Sequence, residues 1–229
     1  MLDRILEDDE IEIAGISGTS AGALNGAALK AGLLTGGREG ARENLAWLWG
    51  RIGSLGDLRL SGWMAGIGPS AGMISQALEY SVPFNMADAA SRVFSPYLYG
   101  PFYRNPLEKI ASRFRYDAVC AKAGPAFFVC ATNVETGKVK VFSGDEINTN
   151  SILASACLPT LFQAVEIDGA PYWDGGYTGN PALFPLFAKE LPGDIVVVNI
   201  NPLVRPGIPK EPREILNRIN EISFNSSLL

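Results

Sequence analysis

Two short stretches of the chain have residue types and spacing that could do chemistry: Gly18-Thr19-Ser20-Ala21-Gly22, and Asp174 followed by Gly175 and Gly176. The first fits G-x-S-x-G, the turn that presents a nucleophilic serine between a strand and a helix. The apolar run Ile11 to Ala14 reads as the strand, and Leu24 to Leu33 is rich in strong helix formers. Gly18 and Gly22 are expected to give the strained serine backbone its room. Ser20 would stand at the carboxyl end of the strand. The helix behind it would aim its first N–H groups, Ala21 foremost, and its positive dipole end at any oxyanion formed there. The plainer alternative is a glycine-rich turn that only packs small residues.

A serine hydroxyl needs a base, and the chain contains no histidine. A Ser-His-Asp triad is therefore excluded, as are histidine-built zinc sites. Carboxylates, lysines and the terminal amine remain as bases. Asp174 is the best placed, because it ends the strand Ala170-Pro171-Tyr172-Trp173 and the two glycines after it let another backbone come close. Asp168, in the Asp168-Gly169 hairpin turn, reads as a turn residue only. Aspartate in water has a pKa of about 3.9 and is a weak base toward a hydroxyl, so a dry site and strong oxyanion stabilisation would have to supply much of the rate.

The elements that must position these residues follow from periodicity. Met1 to Leu6 has apolar residues at helical spacing and reads as the end of an amphipathic helix. Gly36-Gly37 ends the elbow helix, and Arg38 to Arg51 forms a second helix with Leu45, Trp47, Leu48 and Trp49 on or near its apolar side. Leu60 to Leu78 carries no charge but is too polar and broken for a membrane span, and reads as a cover segment. The loop with Phe94, Tyr97, Tyr99, Phe102 and Tyr103 reads as packing, with an acyl-pocket wall as the alternative. Ala126–Ala131 and Lys138–Phe142 form a hairpin around Asn133 to Gly137, and Asn148 to Cys157 forms a short helix stopped by Pro159. Asp194 to Ile200 reads as a buried strand, 202–212 as a proline-rich linker, and the tail from Arg213 as a helix whose stripe of Ile215, Leu216, Ile219 and Ile222 needs something to pack against.

With 229 residues and 47% hydrophobic residues the chain suits one sizeable α/β domain. A net charge of −5 with scattered basic residues argues against a nucleic-acid partner. Cys120, Cys130 and Cys157 read as reduced core residues. There is no signal-peptide or transmembrane pattern, so a cytoplasmic or membrane-peripheral location is expected.

The two motifs together, in this order, resemble the serine-aspartate dyad of the patatin-like phospholipases. Gly15 to Ala23, Ala131-Thr132-Asn133 before Thr136-Gly137, and Ala154-Ser155-Ala156-Cys157-Leu158-Pro159 resemble further blocks of that family, and the similarity spans 1–201. The resemblance implies an α/β fold, with a central mixed, mostly parallel sheet flanked by helices in an α/β/α sandwich. It implies a lipid or other acyl-ester substrate, hydrolysed through Ser20 and Asp174 without metal or cofactor, and leaves room for peripheral contact with a membrane. It also implies a first strand and a glycine-rich oxyanion loop ahead of the elbow. Nothing before Gly15 resembles that loop, so 1–201 is expected to be a hydrolase domain lacking both, weak or inactive as it stands, with 202–229 as linker and helix. A lipid-binding protein without turnover and an acyltransferase using the same serine are the alternatives.

Overall fold

The computed structural model of the protein describes residues 1–54, 95–200 and 202–226. The cover segment expected at 60–78 and Phe94 lie outside these residues. In chain order the elements are α1 (Leu2–Leu6), β1 (Gly15–Thr19), α2 (Ala21–Ser54), α3 (Glu108–Ala111), α4 (Tyr116–Val119), β2 (Ala126–Asn133), β3 (Val139–Ser143), α5 (Thr149–Ser155), β4 (Val165–Ile167), β5 (Ala170–Asp174) and α6 (Pro212–Asn225). Short 3₁₀ turns lie at Pro96–Phe102, Gly144–Glu146, Gly175–Tyr177 and Phe184–Phe187.

The five strands form one mixed sheet with β2 at its centre. β1 runs parallel to β2 from Gly15↔Ala126 to Thr19↔Cys130. β3 pairs antiparallel with Phe128 to Thr132, and β5 antiparallel with Ala131 to Asn133. Because Phe128 to Cys130 pair with both β1 and β3, and Ala131 and Thr132 with both β3 and β5, β1 and β5 share one edge of β2 while β3 takes the other. β4 extends the sheet beyond β5. Among the described residues three of the four pairings are antiparallel, because both tight hairpins contribute antiparallel ladders to the mixed sheet.

Those hairpins form for the expected reasons. Asn133 Oδ1 accepts from the Thr136 N–H at 2.8 Å and Gly137 takes a positive φ, closing the β2–β3 turn. Asp168 and Gly169 both adopt positive φ, as the two-residue β4–β5 turn requires. α2 is broken at Gly36 and Gly37 into two arms, as the glycine pair predicts. Its first arm packs on β1 and β2, and Asn148 caps α5 through bonds from the Asn150 and Ser151 N–H groups. α2 and α5 contribute Leu24, Ala27, Leu48, Ile152 and Ala154 to a core that also holds Phe127, Val129 and Ala131 of β2. The other side of β1 is covered by 179–191: Ser17 Oγ donates to the Ala182 carbonyl, and Gly15 faces Leu186 and Leu191. The result is an α/β/α sandwich.

Two expectations fail. The first strand is Gly15–Thr19, not Ile11 to Ala14, because pairing with β2 decides the register and places small residues where Leu186, Leu191 and the elbow helix crowd the strand. Only Ala14 joins the ladder from the earlier run, accepting from the Ala126 N–H at 2.9 Å. Residues 194–200 are irregular, and Val196, Val197, Val198 and Ile200 are exposed. High β-propensity without a ladder partner among the described residues does not make a strand.

Candidate active site

The register of the sheet makes the site. β1 climbs along β2 to end at Thr19 opposite Cys130, and β5 descends along the same edge to end at Asp174 opposite Ala131, the next residue. The chain therefore delivers Ser20 and Asp174 to one junction from opposite directions, 154 positions apart in sequence.

Ser20 has φ 56°, and the only other non-glycine residue with positive φ among those described is the turn residue Asp168. A β-carbon in the left-handed region is strained, and the surroundings hold it there. The Ser20 N–H donates to Ser155 Oγ at 3.0 Å, and the Ser20 carbonyl accepts from Ala23 and Leu24, so the serine also opens α2. Ala21 begins the helix, where an N–H has no intrahelical partner, and no acceptor among the described residues takes it. Trp49 Nε1 donates to Asn25 Oδ1, whose amide in turn donates to the Ala21 carbonyl at 2.8 Å, fixing the first turn.

The flanking glycines differ in role. A β-carbon on Gly18 would lie 2.5 Å from the Gly22 carbonyl oxygen and 2.8 Å from Ala23 N, so the first turn of α2 folds directly over it. A β-carbon on Gly22 would meet nothing within 4 Å. The expectation that both provide room is corrected: Gly18 does, and Gly22 faces open space.

Asp174 is completely buried. Its N–H donates to the Cys157 carbonyl at 2.8 Å, its carbonyl accepts from Thr132 Oγ1 at 2.8 Å, and its Oδ1 accepts from the Gly176 N–H at 2.8 Å. A β-carbon on Gly175 would strike the Cys130 carbonyl, so only glycine lets the chain leave Asp174 this close to β2. Gly176 lies under the ring of Phe224, which a β-carbon there would displace. Burial pushes the Asp174 carboxyl up to about 7, against the opposing pull of the Gly176 N–H and the Ser20 side chain. In this dry surrounding the carboxylate is a stronger base than aspartate in water, near 3.9. The Ser20 side chain favours the ionised carboxylate, yet Oδ2 accepts no hydrogen bond of ordinary length and angle among the described residues. Ser20 and Asp174 are thus neighbours whose hydrogen bond is not closed.

Sequence reasoning singled out Ser20 and Asp174 but gave no role to their supports. Ser155 and Cys157 lie in the Ala154–Pro159 block, and Thr132 in the Ala131–Asn133 block, both noted only as resemblances. Thr19 Oγ1, which donates to the Gly179 carbonyl at 2.6 Å, had no local signal at all. The cysteines are free, and burial, reinforced by the Asp174 charge, pushes the Cys157 thiol up to about 12, so it is no rival nucleophile at neutral pH. Tyr97 and Tyr103 accept from the Ala164 and Gln163 N–H groups, so the aromatic loop is strapped to the segment after α5. Among the described residues no cluster of His, Cys, Asp or Glu could hold a metal ion. No helix among them is long and apolar enough to cross a membrane.

No curated protein matches the chain. A family model described as patatin-like phospholipase matches residues 1–187, from α1 through the 3₁₀ turn at Phe184–Phe187, and so covers both motifs and the whole sheet that joins them. With most of its length matched, the chain belongs to the patatin-like phospholipases, a family of lipid acyl hydrolases.

Proposed function

We propose that this protein hydrolyses acyl esters of lipids with Ser20 as nucleophile and Asp174 as general base. The observation that carries the reading is the meeting of β1 and β5 on adjacent residues of β2, which brings a strained serine to a buried carboxylate. Asp174 takes the Ser20 hydroxyl proton as Oγ attacks the ester carbonyl. The oxyanion of the tetrahedral intermediate forms beside the Ala21 N–H and the positive end of α2. Protonated Asp174 then returns its proton to the departing alcohol, leaving an acyl-serine. Asp174 next takes a proton from water, whose oxygen attacks the acyl carbonyl, and the carboxylic acid departs as Ser20 regains its proton from Asp174. A carboxyl with a pKa near 7 suits both halves of this cycle better than one near 4.

Hydrolysis of p-nitrophenyl butyrate, read as nitrophenolate release, tests the reading. Ser20→Ala is expected to lower turnover at least 10³-fold, to the level of buffer with inert protein. Undiminished turnover in Ser20→Ala would remove Ser20 from the mechanism. A wild type with no turnover above buffer would instead favour a protein that binds lipid without hydrolysing it.

A further inference from the structure

α6 is docked with its polar side inward. Ile215, Leu216, Ile219 and Ile222 fall on one stripe at helical spacing, and all are exposed, Ile219 by 56% and Ile222 by 54%. Two charged residues of the helix are more buried than the stripe: the Glu221 side chain is 14% exposed and the Arg218 side chain 24%, while Glu214 is exposed. Glu221 pairs with Arg205 of the linker and Arg218 of the helix, both at 3.2 Å, and buried Asn225 donates to the Pro202 carbonyl at 3.2 Å. On the side away from the stripe, Phe224 lies over Gly176 with its ring 5.0 Å from that of Tyr177. Polar anchors and one aromatic ring thus hold the helix, and its aliphatic face is left out. Leu203 and Val204, in the linker segment that Arg205 ties to α6, are exposed as well.

We propose that α6 is a membrane-docking helix whose Ile215, Leu216, Ile219 and Ile222 enter the acyl region of a lipid surface and seat the Ser20–Asp174 centre against it. The inference rests on the proposed function, because a lipid substrate is what a lipid surface would supply. Three observations favour lipid as the occupant. The large side chains of the stripe are all aliphatic, and Arg218 and Glu221 beside it are already paired to one side. Phe224 of the same helix covers Gly176, whose N–H holds Asp174, so the stripe is carried beside the site. A second copy is the weaker fit, since the four stripe residues with Leu203 and Val204 are far fewer than the roughly 20–30 residues a side of a stable interface. Without a basic cluster in the stripe, docking is expected on uncharged surfaces and to change little with salt.

Flotation with phosphatidylcholine vesicles tests this in a Ser20→Ala background, where binding is read without hydrolysis. The Ser20→Ala chain is expected to float with the vesicles, and adding Ile219→Asn and Ile222→Asn should weaken partition at least tenfold. A gain-of-signal variant, Ile219→Trp in the same background, should show blue-shifted emission when vesicles are added. No flotation, equal flotation of both chains, or unshifted emission would each overturn the proposal. So would gel filtration without lipid showing a dimer that the two asparagines convert to monomer, because a second copy would then be the occupant. Failure of the catalytic reading shows elsewhere, as ester turnover retained by Ser20→Ala.

Discussion

Asp174→Asn is expected to lose about 10²–10⁴ in ester turnover and yet melt higher than wild type at pH 8. Asparagine keeps the oxygen that accepts the Gly176 N–H and removes the capacity to take a proton. The stability change follows from burial. Folding raises this carboxyl from 3.8 to about 7, so between about pH 4 and pH 7 the folded chain holds a proton that the unfolded chain has released. Stability from this group therefore falls as pH rises through that window, and above pH 7 the whole penalty is present, on the order of 4 kcal/mol. Removing it should raise the melting temperature by several degrees at pH 8, the gain shrinking toward zero near pH 4. Wild-type kcat/KM should rise with pH and level off above about pH 7. Equal melting of the two proteins at pH 8, or a rate profile flat between pH 5 and 8, would show that Asp174 is neither strongly shifted nor the base. Retained activity in Asp174→Asn together with its loss in Asp168→Asn would mean that the other aspartate does the work.

Gly18→Ala and Gly22→Ala should separate sharply although both alter the same motif. The β-carbon at position 18 meets backbone at 2.5 to 2.8 Å, atoms of the first turn of α2 that no side-chain rotation can move aside. Relief requires pulling α2 away from β1, which opens the core around Ala23 and Leu24 and moves Ser20. The expected result is insoluble protein, or a loss of more than about 3 kcal/mol measured by urea denaturation. Gly22→Ala meets open space and replaces a poor helix former, so it should be neutral or stabilise by up to about 1 kcal/mol. Any loss of turnover in a well-folded Gly22→Ala protein would then report crowding of the face open to substrate. Similar urea midpoints for the two variants would contradict the packing described here.

How much of this was legible in the sequence depended on the range of the interactions. The elbow, the Asp168-Gly169 turn and the break at Gly36-Gly37 are set by a few adjacent residues, and each appears where the sequence placed it. The strand before the elbow was misplaced by four residues because its register is decided by Ala126 to Cys130, more than a hundred positions away. Residues 194–200 have the composition of a buried strand, but pairing needs a partner that composition does not show. Ser20 and Asp174 were identifiable from their glycines, whereas the burial that brings Asp174 to about 7 comes from Thr132, Cys157 and the sheet around it. The stripe on α6 was visible as a helical pattern. Its outward orientation was not, because Arg205, Glu221 and Phe224 decide it through contacts with distant segments.

The most direct measurement of the Ser20–Asp174 mechanism is the site and stoichiometry of a fluorophosphonate adduct, mapped by peptide mass spectrometry. The expected result is one adduct per chain, on Ser20, forming faster as pH rises toward 7, absent in Ser20→Ala and slowed at least 10²-fold in Asp174→Asn. An adduct on any other residue, equal labelling of wild type and Ser20→Ala, or a wild-type chain that takes no label would contradict it.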